Sequence, residues 1–154
     1  MKKLYYLLFL LPLAFFVSCS DDDDFSPVNV TLTLNGVTEY NGTFYTVSGE
    51  GVIIEGLTAK AENGKTTLLQ DVMCNLGSFP IVPSPEYPYG SFTTENLPTG
   101  DFNIGVTGLV LQEGSSIKTF AINYPLVIVE SQDDLPAGAS EIGTYSLTAT
   151  IKTK

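Results

Sequence analysis

From residue 28 onward, apolar and polar residues alternate in short runs, a pattern that favours β-strands. The last run, Gly143 to Lys152, places Tyr145, Leu147, Ala149 and Ile151 on one face and serine or threonine on the other. Gly, Pro, Thr and Asn interrupt the chain so often that no window longer than about ten residues keeps a helical period. Seven or eight such runs, each with one apolar face, predict an all-β fold, an antiparallel two-sheet β-sandwich.

Asn-Gly pairs mark the predicted turns of this fold. Asn35-Gly36 and Asn41-Gly42 each have the composition of a two-residue hairpin turn, and Asn63-Gly64 predicts a third reversal. Gly56 lies inside a predicted strand, where an isolated glycine indicates a β-bulge that shifts the register.

The segment from Asn63 to Val129 resembles bacterial immunoglobulin-like modules. The residues that carry the resemblance are Asn63-Gly64, Pro88-Tyr89, Phe92, Leu97-Pro98-Thr99-Gly100 and Phe102. The resemblance implies that the β-sandwich, which we place at residues 28–154, is immunoglobulin-like.

The N-terminus has the features of a signal peptide. Lys2 and Lys3 precede a 14-residue apolar run, Leu4 to Val17, without a charge. A membrane-spanning helix needs about 20 apolar residues, so this run is too short to span. Its length and basic flank instead predict a cleaved signal peptide over residues 1–18.

The residues that follow resemble the processing signals of lipoproteins. Phe16-Val17-Ser18-Cys19 resembles a lipobox, which implies cleavage before Cys19 and lipid on its thiol. An ordinary signal peptide with an incidental cysteine is the alternative. Lipid on Cys19 predicts anchoring to a membrane.

The run Ser20, Asp21, Asp22, Asp23, Asp24 resembles the surface-export signal of Bacteroidota-type lipoproteins. It implies the outer face of the outer membrane, with a periplasm-facing location as the alternative. The same aspartates also suit a solvated tether, at residues 19–27, since a block of like charges repels itself. They do not predict a calcium site, because such sites arrange their ligands on a loop.

Charge excludes one class of partner. After residue 18 the chain keeps five lysines and 17 acidic residues, a net charge of −12, and it has no arginine. A nucleic-acid-binding protein needs a basic surface, so we expect no nucleic-acid partner. The same charge disfavours attraction to anionic lipid head groups.

Composition also argues against catalysis. The chain has no histidine, so it lacks the side chain that most often acts as a general base. With Cys19 assigned to the lipid, Cys74 has no cysteine left for a disulfide, and it alternates with Val72 and Leu76, which predicts a buried apolar role. Asp133-Asp134 predicts a solvated loop. We therefore expect no catalytic residue, no metal and no cofactor.

The candidate ligand-binding residues are Phe79, Tyr87 and Tyr89. They lie in residues 77–90, a loop or edge strand that also contains Pro80, Pro83, Pro85 and Pro88. Aromatic rings on a proline-stiffened segment lose less entropy on binding, which favours recognition of a glycan or protein. The alternative is that the rings fold back to cap the sandwich and the prolines protect an edge.

The sequence thus favours a lipid-anchored, non-catalytic β-domain that binds a glycan or a protein partner at the cell surface. A structural subunit of the fimbrillin type is the alternative, and an enzyme that uses carboxylates alone is a third possibility.

Overall fold

The computed structural model describes residues 25–151. Within them the chain forms nine strands and one short 3₁₀ turn at Gln132–Asp134. The strands are β1 (Val28–Tyr40), β2 (Thr43–Val47), β3 (Gly51–Ala61), β4 (Thr67–Leu76), β5 (Phe79–Ile81), β6 (Ser91–Thr93), β7 (Gly100–Gln112), β8 (Lys118–Val129) and β9 (Gly143–Ile151). The predicted all-β class is confirmed. In this part of the chain, no helix has the length and apolarity to cross a membrane.

The strands form one continuous hydrogen-bonded path in the order β5-β4-β7-β8-β2-β1-β3-β6, and β9 pairs with β1 outside this path. The pairing of β2 with β8 is parallel, and the other pairings are antiparallel. The result is a mixed sheet that is nearly closed into a barrel, where the sequence predicts two antiparallel sheets.

Strand β1 connects the two halves of the sheet. Its first part pairs with β3 on one side and β9 on the other, whereas Thr38 to Tyr40 pair with β2. The change of partner occurs beside Gly36, whose φ is +95°. The hairpin predicted at Asn35-Gly36 is therefore wrong, because the strand bends there and continues.

The other predicted turns and the bulge are present. Asn41 and Gly42 both have positive φ, 52° and 82°, and connect β1 to β2. Asn63-Gly64 lies between β3 and β4. The β1–β3 register shifts where Thr33 faces Gly56 and Leu34 faces Ile54, which confirms the irregularity predicted at Gly56.

Alternating residues of the strands point into one apolar core. Its largest fully buried side chains include Tyr124, Phe44, Leu32 and Leu34. The Tyr124 hydroxyl donates a hydrogen bond of 2.6 Å to the carbonyl oxygen of Val30, so the one polar atom of this ring has a partner inside the core. Ile81 of β5 lies in this core and Phe92 of β6 packs against it, so both ends of the strand path are attached to the core.

Candidate functional site: the proline segment and its apolar pocket

The proline segment, residues 82–90, connects β5 to β6, which are the two ends of the hydrogen-bonded strand path. Both strands have only three residues. A short edge strand that contains proline offers few backbone groups to another strand, and Pro80 lies in the middle of β5. The two ends of the strand path are thus protected and joined by one stiff connection.

Local hydrogen bonds hold the proline segment in shape. The backbone N–H of Ser84 donates to the Tyr87 carbonyl at 3.0 Å, and that of Gly90 donates to the same oxygen at 2.8 Å. The Tyr87 N–H donates to the Ser84 hydroxyl at 3.0 Å. The segment therefore has its own bonded turns as well as its prolines.

Gly90 fixes the segment to the sheet. Its carbonyl accepts a hydrogen bond of 3.0 Å from the N–H of Ile54 in β3. Its φ is +104°, and a Cβ there would lie 2.5 Å from Cγ2 of Ile81. Only glycine allows the backbone to approach β5 this closely.

An apolar pocket of about 230 Å³ lies between the proline segment and the β4–β5 hairpin. The residues that line it are Val72, Met73, Cys74, Pro80, Ile81, Val82, Pro83, Pro88 and Tyr89. Met73 and Val82 in this lining are 60% and 72% exposed. Large apolar side chains this exposed, gathered at one concave site, are typical of a binding surface.

The structure brings one of the three predicted aromatic residues into the pocket. Tyr89 is half-buried, packs against the core and lines the pocket. Phe79 belongs to β5, pairs with Leu76 and is 63% exposed outside the lining. Tyr87 is half-buried and also lies outside the lining. Tyr89 therefore both covers part of the core and forms a wall of the pocket.

Met73 and Val82 were not predicted as site residues from the sequence. The signal for Met73 was present, since it alternates with Cys74 and so had to face outward. Val82 follows β5 directly, and a valine between prolines gives no indication of its exposure. Met73 and Val82 line the same pocket because β5 and the proline segment fold back against β4.

Cys74 forms part of the pocket wall but is itself buried, as predicted. Burial raises the pKa of its thiol to about 11, since the thiolate is poorly solvated there. The thiol therefore stays protonated near neutral pH, and a protonated thiol is a poor nucleophile.

Asp133 and Asp134 are exposed in the 3₁₀ turn, in agreement with the predicted solvated loop. The Asp134 carboxylate accepts hydrogen bonds of 3.1 Å from the N–H and from the hydroxyl of Ser131. Residues 25–151 contain no group of three or more Cys, Asp or Glu placed to hold a metal ion.

The lipidation residue Cys19 and the export residues Ser20 to Asp24 lie outside the described residues. Their roles stay predictions from the sequence.

Comparisons with known proteins give no relative: no family model, no curated protein and no solved structure matches this chain.

Proposed function

We propose that this chain is a lipid-anchored, non-catalytic binding protein of the cell envelope, exposed at the cell surface. In this proposal Cys19 carries the lipid, Asp21 to Asp24 direct export, and the β-domain binds a partner through the pocket beside the proline segment. The observation that carries the binding role is the exposure of Met73 and Val82 at a preformed apolar pocket.

The pocket favours a protein partner over a glycan. Its lining is apolar apart from the Cys74 thiol and the Tyr89 hydroxyl. A glycan needs several directed hydrogen bonds, whereas an apolar side chain of a protein needs only a cavity of fitting shape. The small volume suits one such side chain.

We also propose that the strands form a two-layer, immunoglobulin-like sandwich. Strands β9, β1, β3 and β6 would form one layer, and β5, β4, β7, β8 and β2 the other, with β1 bending from one to the other. The proline segment would then cross between the two layers, at the open side of the sandwich.

A non-catalytic role is supported by the chemistry of the candidate residues. The Cys74 thiol is neutral and buried, and the Asp134 carboxylate bonds to its own turn. Neither arrangement resembles an activated nucleophile or a pair of carboxyl groups across a cleft.

Anchoring and export are tested on intact cells. The native chain, a Cys19→Ser variant and a variant with alanine at positions 21–24 are fractionated and treated with proteinase K. We expect the native chain to be in the membrane fraction and to be degraded by the protease. The Cys19→Ser variant should be absent from the membrane fraction, and the alanine variant should be protected from the protease. Membrane attachment that survives Cys19→Ser would contradict the anchor, and protection of the native chain would contradict surface exposure.

Binding is tested by photo-crosslinking on the same cells. The residue p-benzoylphenylalanine replaces Val82 at the pocket or, as a control, the exposed Thr148 on β9. We expect a discrete adduct with another protein only from position 82. Equal labelling from both positions would contradict the pocket, and a ladder of adducts with the same chain would support a structural subunit instead.

A further inference from the structure

One end of the domain, here called the anchor end, contains the point where the chain enters from Cys19. Val28 at the start of β1 pairs with Ala61 and with Ile151, the last residues of β3 and β9. The Gln112 side chain at the end of β7 accepts a hydrogen bond of 2.7 Å from the N–H of Ser26 and donates one of 2.9 Å to its carbonyl. The entry point is therefore held beside the end of β7.

An apolar patch lies next to this entry point. Leu68 on β4 faces Leu111 on β7, and Leu109 lies two residues further along the same outer face. Leu68 is 59% exposed. Ile117, which is 62% exposed, directly precedes Lys118 at the start of β8. We call Leu68, Leu109, Leu111 and Ile117 the leucine patch. Leu111 directly precedes Gln112, whose side chain bonds to Ser26 of the entering chain. The patch therefore begins next to the point where the chain enters the domain.

The lysines of residues 25–151 are concentrated at the same end, which also carries Glu62 and Glu113 in its turns. The three lysines within residues 25–151 are Lys60, Lys65 and Lys118, and each lies in or next to a strand end at the anchor end. The Lys118 ammonium lies 5.8 Å from the centre of the Phe25 ring, directly beside the entering chain. Most acidic residues lie at the opposite end, in or near its turns: Glu50, Glu95, Asp101, Glu130, Asp133, Asp134 and Glu141.

The length of the tether brings this end close to a membrane. Five residues lie between Cys19 and Phe25, the first residue that the structure describes. Even fully extended, the six steps from Cys19 to Phe25 span only about 20 Å. A lipid on Cys19 would thus keep the leucine patch at a high local concentration near the bilayer surface, where a weak apolar contact suffices.

We propose that the leucine patch lies in the interfacial region of the bilayer that holds Cys19, with the lysines toward the lipid phosphates and the acidic end away from the membrane. This inference rests on the lipid anchoring proposed above. The contact is short-range and apolar, since the net negative charge of the domain opposes long-range attraction. The domain would therefore rest on the membrane in one orientation and present its acidic end outward.

The absence of tryptophan from the chain allows a direct test. Ile117→Trp places one reporter in the leucine patch, and Phe79→Trp places a matched reporter of nearly equal exposure, 62% against 63%, at the far end of β4. Each lipidated mature chain is bound to phosphatidylcholine vesicles with brominated acyl chains, which quench tryptophan on contact. Leu68→Trp is a second patch reporter in case the first variant does not fold.

We expect the patch reporters to be quenched about twofold more strongly than Phe79→Trp, with a shift of emission to shorter wavelength, since only they would enter the apolar boundary. Equal quenching of a vesicle-bound, folded chain would overturn the orientation and leave the anchoring intact. A blue shift without quenching, together with a dimer on crosslinking, would assign the patch to a second copy and also overturn it. A chain that does not sediment with vesicles would overturn the anchoring as well.

Discussion

Two buried threonines near the bend of β1 differ in how their hydroxyl groups are satisfied. The Thr46 hydroxyl donates a hydrogen bond of 2.8 Å to the carbonyl oxygen of Gly36. The Thr38 hydroxyl is fully buried and has no hydrogen-bond partner among the described residues. A buried polar group without a partner lowers the free energy of unfolding by about 1–3 kcal/mol.

We therefore expect opposite effects from the same substitution at the two positions. Thr38→Val keeps the shape and removes the unpaired hydroxyl, so it should raise the free energy of unfolding by about 1 kcal/mol. Thr46→Val removes the hydrogen bond to the Gly36 carbonyl and should lower the free energy of unfolding by about 1–2 kcal/mol. Urea unfolding of both variants measures the difference, and a similar loss in both would show that Thr38 has a partner in solution.

The candidate site was partly predictable at the scale of single residues. The alternation of strand residues placed Cys74 inside and Met73 outside, and the prolines marked Pro80 and its neighbours as edge or loop. The sequence pattern contains nothing that separates Tyr89, which lines the pocket, from Phe79 and Tyr87, which do not. That distinction depends on which side of the proline segment faces β4.

Strand β1 shows how tertiary contacts override a local signal. Asn35-Gly36 has the same composition as Asn41-Gly42, yet only the second pair forms a hairpin turn. At the first pair, Asn35 bonds within the sheet: its backbone faces Ile53 and Thr144, and its side-chain amide donates to the Thr144 hydroxyl at 2.7 Å. Pairing on both sides therefore keeps the strand extended, and the glycine is used for a bend.

The bend makes Gly36 the more sensitive of two glycines with positive φ. A Cβ on Gly36 would lie 2.1 Å from the carbonyl oxygen of Gly51, whereas a Cβ on Gly42 would meet nothing within 4 Å. We expect Gly42→Ala to lower the free energy of unfolding by about 1–2 kcal/mol through its backbone conformation alone. Gly36→Ala should lower the free energy of unfolding by clearly more, because β1 and β3 must also separate at this point.

Chemical denaturation of the two glycine variants gives this comparison directly. Equal losses would show that β1 and β3 can part at this point without cost, and that the close approach at Gly36 does not hold the bend.

At the scale of the whole molecule, charge is abundant and unevenly distributed. Residues 25–151 contain three lysines against 13 acidic residues. The acidic residues are densest at the end opposite the entry of the chain, in the connections before β3, β7 and β9. Like charges on one end repel each other and destabilise the folded state.

Salt should therefore stabilise the domain. The Debye length falls from about 30 Å at 0.01 M to about 8 Å at 0.15 M, so repulsion across the acidic end is largely screened at the higher concentration. We expect the melting temperature to rise over this range, and to rise less in a variant with Glu130→Gln, Asp133→Asn and Glu141→Gln. Thermal unfolding followed by circular dichroism measures both, and a flat or falling melting temperature in the native chain would contradict the repulsion.

The β-class, most turns and the inward residues could be predicted from local patterns alone, because a period of two residues and Asn-Gly turns are local properties of the chain. The face of β9 with Tyr145, Leu147, Ala149 and Ile151 was predicted correctly for this reason. The parallel pairing of β2 with β8, the bend of β1 and the pocket under residues 82–90 depend instead on tertiary contacts. These features join residues that are far apart in the chain, and no local pattern records which strand edge a segment will meet.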